Sequence, residues 1–402
     1  MLNLSQLFFT SDANETALLD HLDLDAKQKT EIQNAKGLVR AALREGIPLK
    51  YAELGLLGKA PQPRFFTQGS WAYKTLNAPC QPPQEADIDD GCYLPMTFVT
   101  QQTKRPSVAA EVFFRIAEAA LAPLVKAMGW KFGGEKPTCI RIHISTLAHI
   151  DVPLYAIPDD EFEKLKKSMA MAMESMTLDS VTKNERIDRW DALPLDQVLL
   201  AHRDENWKPS DPRPLNDWFV DQVTVQGPQL RRVVRYLKAY RDNKWASGGP
   251  ASVLLMAVAV PLFQQELGRD DAALLNVVKG IPAALRKGVK HPTDQSESLT
   301  DRLRKAGAAE GRDCVEEAAQ SYEGLAGILE ATLAAGNAEQ GVIWMRQQFG
   351  HRFPNRPDRV KVSPAPASTT TATGAAAGVA GVIASTPAQA GPSPLVGSTH
   401  AG

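Results

Sequence analysis

Two short stretches carry residues that could do chemistry together. One is Gln68-Gly69-Ser70-Trp71-Ala72-Tyr73; the other, Asp87-Ile88-Asp89-Asp90-Gly91, starts seventeen residues after Ser70. If Ala86–Leu94 is a strand, side chains alternate with period two. Asp87 and Asp89 then project from one face, and Ile88 points into the core. Carboxylates held so close repel each other and raise one another's pKa. A divalent cation neutralises such a pair, and hard oxygen donors suit Mg²⁺ or Mn²⁺. Asp151, on an alternating strand of its own, can supply a third carboxylate. Three carboxylates can carry two ions roughly 3.5–4 Å apart, the clamp used for in-line phosphoryl displacement. Gly69-Ser70 stands where a helix would begin. Free N–H groups at a helix start bind phosphate, Gly permits close approach, and Ser70 adds a hydroxyl. Taken singly, each stretch has a plainer reading: an acidic doublet before Gly is often a solvated turn, and Gly-Ser is often a helix cap. It is not an EF-hand loop, because Gly91 arrives one position early and no Glu closes the frame. Order and spacing favour chemistry, since the gap leaves room for one short helix and a turn.

These residues need elements to position them. Ala26–Gly46 reads as a helix, with Ile32, Leu38, Val39, Ala42 and Leu43 at helical spacing. Phe65–Ser70 reads as a short strand or loop entering a turn, and Ala86–Leu94 as a strand ended by Pro95. Val108–Trp130 reads as a long amphipathic helix. Cys139–Ser145 alternates Ile140, Ile142 and Ile144 against Arg141, His143 and Ser145; His149–Tyr155 sets Ile150, Val152 and Leu154 opposite Asp151. A hairpin through Thr146-Leu147-Ala148 would join the two runs. From Gly227 onward only helices are expected: Pro228–Trp245, Ala251–Leu267, Asp271–Lys287, Leu299–Gly307, Val315–Gly336 and Asn337–Phe349. On the first of these, Arg231, Arg235 and Lys238 form a basic stripe, and Leu230, Val233, Val234 and Leu237 the buried one. Such a stripe is either a solvated face or a phosphate contact. The outline is α+β, a mixed half followed by an all-helical half.

Composition narrows the function classes. The chain has 402 residues, 44% hydrophobic and 23% charged, with a net charge of −1. Those values exclude a wholly disordered chain and a membrane bundle, and they argue against a general nucleic-acid binder. Cys80, Cys92, Cys139 and Cys314 are too few and scattered for a disulfide framework, so buried free thiols are expected. No targeting signal is read, and the longest apolar stretch, Ala251–Phe263, is too short for a membrane span, so the cytoplasm is the default. Ser363–Gly402 contains no Asp, Glu, Lys or Arg and is expected to be a flexible tail. The expected units are a core over 1–226, a helical domain over 227–356 and a tail over 357–402.

Four segments together carry a family resemblance: QGSWAYKTLNAP (68–79), DIDDGCYLP (87–95), HIDVPLYAIP (149–158) and RRVVRYLKAYRDNKW (231–245). Jointly they resemble the bacterial cGAS/DncV-like nucleotidyltransferases, the cyclic-oligonucleotide synthases of anti-phage CBASS systems. The likeness is greatest to the DncV-type cyclic GMP-AMP synthases and covers about residues 40 to 350. It implies a polymerase-β-like nucleotidyltransferase core, a mixed sheet flanked by helices, plus a C-terminal all-helical domain. It implies that Asp87, Asp89 and Asp151 are the catalytic metal-binding triad, holding two Mg²⁺ or Mn²⁺ ions. Gln68, Gly69 and Ser70 would hold the donor triphosphate, with Lys238 and Ser252 assisting from the helical half. Tyr73 matches a base-stacking aromatic, or is a packing residue. Arg141 matches a basic group near the triphosphate, or pairs with an acidic side chain. His291 is read as a loop residue. The implied substrates are ATP and GTP, and the implied product is 3′,3′-cyclic GMP-AMP, read by a separate effector. Gly402 is either the target of an E1/E2-like ubiquitin-transfer partner or an idle terminus. No membrane or long nucleic-acid partner is expected. The alternatives are an enzyme making another cyclic or linear oligonucleotide or modifying RNA, protein or drugs, and a non-catalytic nucleotide-binding scaffold. Scaffolds of that kind usually lose a carboxylate, and here all three are present.

Overall fold

In a computed structural model, the described residues are 1–55, 62–96, 106–164, 197–204 and 207–362, with 106–109 described by their backbone alone. The tail from Ser363 to Gly402, and with it the Gly402 expectation, lies outside them. The strands are β1 (Leu2–Asn3), β2 (Arg64–Gln68), β3 (Ala86–Pro95), β4 (Lys131–Phe132), β5 (Cys139–His143), β6 (Ala148–Ile157), β7 (Leu199–Ala201), β8 (Trp207–Pro209) and β9 (Lys361–Val362).

The middle of the sheet is set by β6, whose ten residues are all buried. Its parallel neighbour is β3; β2 and β5 run antiparallel on either side, giving the order β2-β3-β6-β5-β4, with β7 and β8 continuing from β6. The expected hairpin through 146–148 joins β5 to β6. Alternation decides the two faces. Ile88, Ile140, Ile142, Ile150 and Val152 pack on one side against the helices Ala26–Glu53 and Pro106–Ala127, in a core with Val39, Leu43, Ile47, Phe113, Phe114 and Leu121. The acidic positions take the other side.

The first of these helices runs past the expected end at Gly46 to Glu53. Asp25 caps it: its carboxylate accepts from Gln28 N at 2.7 Å, and Gln28 Oε1 accepts from Asp25 N at 3.0 Å. Gly46 is a crossing point and not a terminator. A Cβ there would lie 2.5 Å from Ala120 Cβ on the second helix.

The six helices expected after Gly227 form within a few residues of their expected ends: Pro228–Lys244, Ser252–Leu262, Asp270–Lys287, Leu299–Ala308, Cys314–Ala334 and Ala338–Phe349. Their core also takes in two segments that the expected boundaries assigned to the other unit. One is a further helix, Arg213–Gln226, whose Phe219 and Val223 pack there. Pro214 in its first turn and Gly227 after its last were signals for it. The other is the N-terminus, where Leu2, Leu4, Leu7 and Phe8 are buried against Tyr236, Phe349 and Phe353. Buried Asp271 holds this segment by accepting from Leu4 N (2.8 Å) and Ser5 Oγ (2.6 Å). The expected tail boundary at 357 also shifts. Pro357–Arg359 form a 3₁₀ turn and β9 pairs with β1, so the compact unit takes in residues through Val362. Local composition hid this, because a two-residue strand gains its partners from the far end of the chain. All four cysteines are free, but only Cys92 and Cys139 are buried. Among the described residues, no helix is long and apolar enough to cross a membrane.

Candidate active site

Register brings the carboxylates together. Across the parallel pair, Asp87 stands opposite His149 and Asp89 opposite Asp151; across the antiparallel pair, Arg141 stands opposite Asp151 and His143 opposite His149. All six side chains therefore share the face turned away from the isoleucine core.

The edge strand β2 completes the site. Gln68 is the register partner of Asp89, and Gln68 Nε2 donates to the Tyr155 hydroxyl at 3.1 Å. The chain then turns into a single helical turn, Gly69–Ala72. Gly69 has φ +70°, and a Cβ there would sit 2.0 Å from Asp89 Oδ2. Only glycine meets both demands. Ser70 follows, at the mouth of the turn and partly buried.

The charges are unequal. Burial, with Asp87 and Asp151 beside it, pushes the Asp89 carboxyl up to about 8. Burial also raises Asp87, but the adjacent His149 ring, with Arg141 and Lys238 beyond it, outweighs that and leaves Asp87 below the ordinary carboxylate range. His149 is buried, and its Nε2 lies 2.9 Å from Asp87 Oδ1 in an approach too bent for a directed hydrogen bond. Burial lowers the His149 pKa, and the neighbouring carboxylates reverse that and raise it. Asp151 is engaged at both oxygens: Arg141 Nε donates to Oδ1 at 2.7 Å and Nη2 to Oδ2 at 2.6 Å. Of the two readings of Arg141, pairing with an acidic side chain is thus the one this arrangement displays.

The donor set fits a hard divalent cation. Asp87 Oδ1 is buried without a hydrogen-bond partner, and carboxylate oxygens of Asp87 and Asp151 lie within 4.8 Å of each other, with the His149 ring beside them. Asp89 gives this a measurable consequence. A folded-state pKa near 8, against about 4 in the unfolded chain, means the folded state keeps a proton that the unfolded state loses. Its contribution to stability is fully present below pH 4 and is lost as pH rises through 8. In chelator, the wild-type melting temperature should fall between pH 5 and 8 by at least a few degrees more than that of Asp89→Asn, since roughly 2–4 °C accompanies each kcal/mol. Parallel pH curves for the two proteins, measured by thermal denaturation, would contradict this assignment.

The helix Pro228–Lys244 closes the site from the helical half, and its basic stripe is not a solvated face. Arg235 is 8% and Lys238 3% exposed. They staple the segment between the Gly69 turn and β3: Lys238 Nζ donates to the Thr75 carbonyl (2.5 Å), Arg235 Nε to Asn77 Oδ1 (2.9 Å), and Arg231 Nε to the Tyr73 carbonyl (3.1 Å). Burial, with Arg241 next to it, pushes the Lys238 ammonium down to about 7. Ser252 begins the following helix, and its Oγ accepts from Arg241 Nη1 at 3.0 Å. Tyr73 is buried and tilted against Phe219, ring centroids 6.2 Å apart, which is the packing alternative of its two readings. His291 lies in a loop, where Nδ1 accepts from Thr293 N at 3.3 Å.

Three residues on this face had no expected role: Glu85, His143 and His149. Glu85 Oε2 lies 2.6 Å from His149 Nδ1. A signal existed, because Glu85, Asp87 and Asp89 share one period-two series and His149 and Asp151 another.

The comparisons agree with this geometry. Residues 63–155 match the family model described as cyclic GMP-AMP synthase DncV-like, nucleotidyltransferase domain, and residues 227–361 that of the cyclic GMP-AMP synthase C-terminal domain. A cyclic GMP-AMP synthase from Escherichia coli is 36% identical over 305 residues, covering 73% of this chain and 68% of that protein. One from Vibrio cholerae is 36% identical over 311 residues, with the same coverage. The solved structure of Vibrio cholerae DncV with the linear intermediate 5′ pppA(3′,5′)pG superposes with a TM-score of 0.71 at 28% identity, covering 90% of this chain and 99% of that one. The same enzyme in complex with GTP and 5MTHFGLU2 gives 0.73 at 29% identity, covering 90% and 100%. By sequence, fold and the face its carboxylates share, this chain belongs to the DncV-like cyclic GMP-AMP synthases, a family of nucleotidyltransferases.

Proposed function

We propose that this chain joins ATP and GTP into 3′,3′-cyclic GMP-AMP, releasing two pyrophosphates, at the face shared by Asp87, Asp89 and Asp151. The observation that carries the reading is the convergence of these carboxylates beside the Gly69-Ser70 turn. In each of two rounds a ribose 3′-hydroxyl oxygen attacks an α-phosphorus. The P–O bond to the β-phosphate breaks, and the hydroxyl proton is lost. The first round gives a linear dinucleotide triphosphate, and the second closes the ring. Asp87, Asp89 and Asp151 would hold two Mg²⁺ or Mn²⁺ ions, which supply activation of the hydroxyl and neutralisation of the phosphate charge.

The chain's own groups do the rest. The Gly69 backbone lies against Asp89, so a triphosphate seated on the turn is already beside the carboxylate. Ser70 offers its hydroxyl and N–H to that triphosphate. Lys238 and Ser252 reach the same phosphates once Nζ leaves the Thr75 carbonyl and Oγ turns from Arg241; an arriving polyanion also favours the charged form of Lys238. Arg141 holds both oxygens of Asp151 in place until a cation takes over its charge.

The family resemblance extends the reading to anti-phage defence in the cytoplasm, a separate effector that reads the product, and an E1/E2-like partner acting on Gly402. The central test is to incubate the pure protein with all four nucleoside triphosphates and Mg²⁺ or Mn²⁺. The expected product is one mixed A/G cyclic dinucleotide by mass spectrometry, fully cleaved by nuclease P1. A nuclease-resistant, polymeric or single-base product would overturn it.

A further inference from the structure

Glu85 immediately precedes β3, and His143 and His149 face each other across the β5–β6 pair. Both rings turn Nδ1 towards one carboxylate. His149 Nδ1 lies 2.6 Å from Glu85 Oε2; His143 Nδ1 lies 2.9 Å from Oε2 and 3.0 Å from Oε1. Donor atoms of the three residues all lie within 4.8 Å of one another. The His149 side chain is 7% exposed and that of His143 35%, so the cluster has a buried floor and an open mouth. Without a cation, each Nδ1 must carry a proton to be held, and two N–H groups crowd onto Oε2. A cation replaces both protons and converts the same atoms into ligands. Two imidazoles and a carboxylate form the protein ligand set of open, three-ligand zinc centres. Imidazole donors also select against Mg²⁺, which prefers oxygen.

We propose that Glu85, His143 and His149 bind a divalent first-row transition ion, Zn²⁺ being the best fit, at a site separate from the oxygen site of Asp87, Asp89 and Asp151. Metal bonds near 2.0–2.2 Å place tetrahedral donors roughly 3.3 Å apart. The cluster therefore opens by about half an ångström on binding, which rotation of the partly exposed Glu85 and His143 side chains allows. Coordination through Nδ1 leaves the other His149 nitrogen, 2.9 Å from Asp87 Oδ1, as the N–H form. The ion thereby fixes the tautomer of a ring that touches a carboxylate of the proposed active site. This site does not depend on the nucleotide reading.

The test uses full-length protein stripped with chelator and titrated with Co²⁺ in millimolar Mg²⁺, without nucleotide. Wild type should bind one Co²⁺ per chain with the visible absorption of nitrogen-containing coordination, and Zn²⁺ should displace it. His143→Ala should weaken binding at least about tenfold, and Glu85→Gln likewise, while Asp89→Asn should bind as wild type does. His143 is partly exposed, so its variant decides the matter if Glu85→Gln fails to fold. No Co²⁺ bound by wild type, equal affinity in folded His143→Ala, or loss of the signal in Asp89→Asn would each overturn the site. None of these results bears on whether nucleotides are joined.

Discussion

Asp87→Asn/Asp89→Asn should make less than about a thousandth of the wild-type amount of cyclic dinucleotide, a loss of roughly 4 kcal/mol of transition-state stabilisation. The same protein should stay folded, with a melting temperature in chelator no more than a few degrees below wild type. The reason is electrostatic. Asp89 is destabilised where it stands by burial and by two like charges, so removing its charge relieves the face. Removing Asp87 costs the contact with His149, only one of that ring's three carboxylate partners. Product formation is read by mass spectrometry under saturating ATP and GTP, and folding by circular dichroism. Activity above one per cent of wild type would displace the chemistry from this face.

Gly69→Ala should be nearly as damaging to turnover, for a steric reason. The residue sits at φ +70°, where an alanine costs about 1–2 kcal/mol, and its new methyl group would meet Asp89 Oδ2 at 2.0 Å. The Asp89 carboxylate has to swing away, or the turn has to lift from β3. Either movement displaces the proposed phosphate seat relative to the carboxylates, and an error of about 1 Å in such a site costs on the order of a hundredfold in rate. We expect that loss in kcat/KM with a fall of only a few degrees in melting temperature. Gly37→Ala is the control. Gly37 lies exposed in a helix, and a Cβ added to it would meet nothing within 4 Å, so alanine should stabilise the helix by up to about 1 kcal/mol and leave turnover unchanged. Equal effects of the two substitutions on activity would remove any special role for Gly69.

What the sequence could reveal here follows from the range of the interactions. The shared face of Asp87 and Asp89 was legible because strand alternation is local. Asp151 was legible because its own strand alternates cleanly. The helices after Gly227 were legible because their apolar spacing is strong and their ends carry caps and glycines. The fate of the basic stripe was not. Whether Arg235 and Lys238 meet water, phosphate or backbone depends on what docks against them, and here it is the 73–77 segment, more than 150 residues earlier in the chain. The pairing of Arg141 with Asp151 is one of two choices the sequence allows for the same reason, since an arginine accepts either kind of anion. A histidine between Ala148 and Ile150 reads as an ordinary strand residue; the register with Asp87 and His143 is what gives His149 its polar neighbours.

The pairing of β1 with β9 sets an order of events during biosynthesis. Leu2, Leu4, Leu7 and Phe8 are made long before Phe349, Phe353 and β9, against which they pack or pair. At about 5–20 residues per second, that delay is on the order of half a minute. During it the sheet, whose strands all lie before residue 210, can form while the helical core still lacks its final helix. Leu2, Leu4, Leu7 and Phe8 lack these late partners until then. Chaperone dependence and aggregation during expression should therefore track this short segment more closely than the catalytic half of the molecule.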